Sequence, residues 1–164
     1  MRKPKLLIWF VASIAATAAL GVGVPARADV PQREQFAFEF PYVDTWTCPG
    51  LAIDATFAVR GIDTVFSATR ENVHLHGLTT LSANGKTLAS NFNVLLVLDP
   101  TTTLQKIAGT VWNIEVAHAG NLLVDAGTIV MDVSTSPPTV LQIGGPHPQF
   151  YGDLGALCAY LAAP

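Results

Sequence analysis

LASNFNVLLVL, residues 88–98, is the stretch that decides the fold. Leu88, Ser90, Phe92, Val94, Leu96 and Leu98 fall on one side of an extended chain, with Ala89, Asn91 and Asn93 on the other. A two-residue period is that of a strand with one buried face. Asp99-Pro100 ends the run. Just upstream stands Asn84-Gly85, a dipeptide that favours a two-residue hairpin because both positions tolerate positive φ. The strand is therefore expected to pair with the run rich in Val, Leu and Thr at residues 72–81.

The same reading extends in both directions. Phe36, Phe38 and Phe40 alternate with Ala37 and Glu39, and a loop rich in turn formers is expected over 41–50. Leu51, Ile53, Ala55, Phe57 and Val59 form the next alternation. It slips phase at Gly61, so that Ile62, Thr64 and Phe66 share a face and a bulge or tight turn is expected there. Trp112, Ile114, Val116 and His118 define another strand, the turn His118–Asn121 follows, and 122–133 returns. Ser136-Pro137-Pro138 breaks the chain before a short run at 139–143. Long strands joined by short turns predict an all-β fold, an antiparallel up-and-down β-barrel of about eight strands, with a β-sandwich as the alternative.

The first 28 residues read as a signal peptide. Arg2, Lys3 and Lys5 precede an apolar run from Leu6 to Leu20, and Ala26-Arg27-Ala28 supplies a small-residue cleavage motif. A cut before Asp29 leaves residues 29–164 as a single secreted, extracellular domain. The alternative is retention of the run as an anchor. Five basic residues (Arg33, Arg60, Arg70, Lys86, Lys106) then stand against all twelve acidic ones, a formal charge of −7. That balance speaks against phosphate backbones and anionic membrane surfaces as partners. The residues call for no cofactor, and they leave the oligomeric state open.

Cys48 and Cys158 are the only cysteines. In an oxidising compartment they are expected to form one disulfide rather than free or catalytic thiols. Leu154, Leu157, Cys158 and Leu161 recur at helical spacing, and Asp153 is placed to cap that short C-terminal helix.

The stretch Trp112–Asp132, followed by Leu157-Cys158, resembles a group of small secreted actinomycete proteins of uncharacterised role. They share a signal peptide, an early and a late cysteine and an alternating β core. The resemblance implies a barrel somewhat like the allene oxide cyclase or lipocalin type and carries no catalytic residue.

His74 and His76 share one strand face and could hold a metal, with His118, His147, Glu71 or Glu115 completing the set. The competing reading is two solvated histidines on an outer face. Phe57, Phe66, Phe92 and Trp112 could line a cavity for a small apolar ligand, or simply fill the core. No Gly-x-Ser-x-Gly elbow or His-Glu-x-x-His helix supports a hydrolase. Three functions remain open: a non-catalytic exported barrel binding an apolar ligand or surface partner, a small isomerase- or cyclase-like or metal-dependent enzyme, and a cell-envelope interaction protein.

Overall fold

The computed structural model describes residues 30–118 and 120–163; the expected leader at 1–28 lies outside them. Seven strands follow one another in chain order and pair antiparallel in a single sheet. They are β1 (Gln32–Asp44), β2 (Ile53–Ser67), β3 (Arg70–Ala83), β4 (Lys86–Leu98), β5 (Leu104–Val116), β6 (Gly120–Asp132) and β7 (Thr139–Gly144). A single helical turn, α1 (Pro148–Tyr151), and α2 (Gly155–Ala162) complete the chain.

The up-and-down order is as expected, but the count is seven and no ladder joins β1 to β7 among the described residues. The sheet is therefore an open one, curled about a single buried face. Phe57 on β2 lies edge-on to Trp112 on β5 at 6.2 Å and against Phe92 on β4 at 5.6 Å, so facing strands meet through their side chains. Two apolar groups result. One joins Val59, Val73, Leu96, Ile107 and Met131 in the middle of the sheet. The other gathers Ile53, Leu81, Trp112, Ile114 and Leu123 beneath Leu157 and Leu161 of α2. The helix thus closes one end of the curl.

Several local expectations need correction. β1 runs on through Pro41 to Asp44, where a loop was expected. Its rows of rings, Phe36, Phe38, Phe40 and Tyr42, stack about 6 Å apart along one face, and this packing carries the strand through the proline. Gly61 is not a bulge: it pairs in register with Phe36, and the irregularity falls later, between Val65 and Ser67. A Cβ at Gly61 would sit 2.2 Å from the Phe36 ring, so the glycine makes room for that ring. Asp153 does not cap α2, whose N-cap position is Leu154, with no side-chain cap.

The ends of the chain are held by three devices. Asp44 accepts hydrogen bonds from the amides of Trp46 and Thr47, a turn that delivers Cys48 to the helix. Cys48 and Cys158 are bonded, their Cα atoms 5.4 Å apart. Asn84 and Gly85 take φ of 49° and 76°, as the type I′ turn requires. From that hairpin tip Asn84 Nδ2 donates to the Leu161 carbonyl, and Lys86 Nζ donates to those of Tyr160 and Ala163. A cation on the last carbonyls complements the helix dipole.

Candidate functional site

The two ends of the curled sheet differ chemically. At the helix end Asp125 and His147 form a strongly polar pair on the concave side, both essentially inaccessible to solvent. His147 Nδ1 lies 2.7 Å from Asp125 Oδ1, and its Nε2 lies 3.3 Å from the Gly144 carbonyl. That pair fastens the loop before α1 onto β6 under a packed roof, where no substrate reaches it.

The opposite end carries carboxyl groups on inward positions. Inward residues of β2 run Ile53, Ala55, Phe57, Val59, Gly61 and then Asp63, and those of β3 begin with Glu71 before Val73 and Leu75. A side-chain hydrogen bond joins Asp63 and Glu71, and Glu34 on β1 pairs in register with Asp63. Burial, then the Glu34 charge, pushes the Asp63 carboxyl above its usual range; the bond from Glu71 and the Thr64 amide pull it partly back. Burial, the Asp63 charge and the same bond all raise Glu71.

Glu71 is 7% exposed. Its Oε1, Asp63 Oδ1 and Gln105 Oε1 are buried without a hydrogen-bond partner. Register runs from Glu71 to Leu98 on β4 and on to Gln105 on β5, so all three oxygens belong to one end of the concave face. A buried acceptor left without a donor costs about 1–3 kcal/mol, and three at one place mark a spot suited to a donor-bearing ligand. Below them lie Phe36, Val73, Leu96 and Ile107, an apolar floor.

The other expected residues are distributed as follows. Phe57, Phe92 and Trp112 come together in the interior, while Phe66 is 41% exposed near the β2–β3 turn, with Arg70 over its ring at 5.1 Å. His74 and His76 stand side by side on the outer face, ring centres 6.4 Å apart. Glu71 and His147 are buried on the other side of the sheet, and His118 lies in the β5–β6 turn, so the sheet itself separates the histidine pair from two of its expected co-ligands. Among the described residues no three His, Cys, Asp or Glu are placed to hold a metal. Across the outer face of β1–β4 runs an open trough of about 740 Å³, flanked by Glu39, Arg60, His76, Leu78, Asn91 and Asn93.

The phase slip in the sequence at Gly61 predicts a bulge there, which hides the carboxyl pair. Its signal was there: with no slip, two acids occupy core positions at adjoining strand ends. Compared with known family models, curated proteins and solved structures, the chain matches none.

Proposed function

We propose that the protein is an exported, non-catalytic binder whose open end takes a small apolar molecule carrying a cationic or hydrogen-bond-donating head. The barrel-like curl supplies a sheltered apolar face, and the leader and the disulfide suit an extracellular setting. Among the described residues no helix is long and apolar enough to cross a membrane. The observation that carries the reading is the set of partnerless buried oxygens on Asp63, Glu71 and Gln105. A protonated amine has no lone pair to clash with them and would satisfy several at once. Its apolar body would lie along Phe36, Phe38 and Phe40, of which Phe38 is 37% exposed.

Titration calorimetry with dodecylammonium and dodecanoate tests this. The ammonium should bind about tenfold tighter or better, a difference of about 1.4 kcal/mol, and Asp63→Asn with Glu71→Gln should remove the preference. Equal affinities, or binding of neither, would refute it.

A second reading rests on the same pair. Two neighbouring carboxyl groups that burial holds above their usual range are of the kind a small isomerase or cyclase uses as acid and base. A cell-envelope partner seated in the outer trough is the third, and its binding would be indifferent to Glu71→Gln.

A further inference from the structure

The hydrogen-bonding parity of the sheet can be followed from the β3–β4 turn to its outer edge. A two-residue hairpin makes its flanking residues, Ala83 and Lys86, a mutually bonded pair. Odd-numbered residues of β3 therefore point their amides at β4 and even-numbered ones at β2. Through the β2–β3 register this turns odd residues of β2 toward β1, and even residues of β1 toward β2. The odd residues Arg33, Gln35, Ala37 and Glu39 direct both N–H and C=O out of the sheet, with no neighbouring strand on that side among the described residues. Pro41, which has no N–H, belongs to the same outward set, as does the position of Pro31 just before the strand.

This free edge is self-complementary. Two antiparallel copies placed with a twofold axis at Phe36 set Gln35 opposite Ala37 and Arg33 opposite Glu39, twice over. The same register sets Pro31 opposite Pro41, so the two residues unable to donate bracket the pairing segment at both ends. Registers shifted by two residues in either direction lose the opposite-charge pairs. Edge strands are ordinarily protected by charge and proline; here these devices leave one register open while disfavouring others.

We propose that β1 pairs with β1 of a second copy over residues 33–39, joining two seven-stranded sheets through the Arg33–Glu39 pairs. The aromatic rows of the two copies then meet at Phe36. The paired segment includes Glu34, Phe36 and Phe38, which also border the carboxyl end, but association is read by sedimentation and head-group preference by calorimetry, so either reading can fail while the other stands.

Sedimentation velocity over a concentration series of the protein, produced from its full coding sequence and freed of its leader, tests the pairing. A reversible dimer is expected. Arg33→Glu, which turns both pairs into like charges, should raise the dimer dissociation constant by about tenfold. Adding Glu39→Arg to it should restore association. Ala37→Pro, which removes an outward N–H at the centre, should give monomer with an unchanged circular dichroism melt. A wild-type chain that stays monomeric throughout, a dimer that survives Ala37→Pro, or a double charge swap that does not rescue Arg33→Glu would each overturn the proposal.

Discussion

Replacing both Cys48 and Cys158 by alanine should cost close to the full entropy of one very large loop. The bond closes 110 residues. Constraining a loop of that size lowers the entropy of the unfolded chain by about 16 cal/mol/K, or about 4.8 kcal/mol at room temperature. Unfolding entropy of about 2.1 cal/mol/K per residue converts this into a fall in Tm of about 15–20 °C for a domain of this length. The double substitution leaves no lone thiol, and Cys48 is buried beneath α2 with Leu157 and Leu161, so small cavities add to the loss rather than offset it. Calorimetry of the variant, beside the wild type with and without a phosphine reductant, measures it. Reduced wild type and variant should melt together. A shift below about 3 °C, with the same m-value in urea, would refute the loop-closure account.

Glu71→Gln keeps the shape of the side chain while removing a group whose protonated form the fold prefers. A raised carboxyl pKa contributes stability that is complete below its ordinary value and is lost as pH rises through the raised one. The variant should therefore be more stable than wild type at about pH 7, and the gap should close toward about pH 4; urea titrations across that range check it. His147→Ala should destabilise by about 2–3 kcal/mol by taking the imidazole from a buried carboxylate, seen as an earlier denaturation midpoint. Lys86→Ala should cost about 1 kcal/mol and raise amide exchange in α2 before that in β4. Gly85→Ala, at φ 76°, should cost about 1 kcal/mol through left-handed strain, read from thermal melts.

The strands were legible where one face is apolar throughout. Leu88 to Leu98 and Trp112 to Ile114 alternate cleanly because their inward positions are apolar except Ser90, a small residue whose hydroxyl is satisfied by the Asn113 amide. The disulfide and α2 were legible too, since two cysteines and a four-residue apolar spacing leave few choices. Reading failed where tertiary packing or polarity overrides the pattern. Pro41 sits in a strand because its missing N–H faces an edge, which no local rule reveals. Gly61 stays in register because a ring from another strand fills the space beside it. Closure was not legible at all: alternation states which side is buried, not whether the first strand meets the last. The carboxyl pair was hidden by the same limitation, since acids on core positions break the very periodicity used to find the core.

The distance between the two cysteines has a bearing on biosynthesis. Ribosomes add roughly 5–20 residues per second, so Cys48 exists for about 5–20 s before its partner has been made. Throughout that interval every other strand of the sheet emerges, and the hairpin that grips α2 is completed before the helix itself is translated. The crosslink is thus a record of finished assembly. A chain cut short anywhere upstream of residue 158 carries a solitary reactive sulfur, a chemical mark by which quality-control machinery could tell it from the whole.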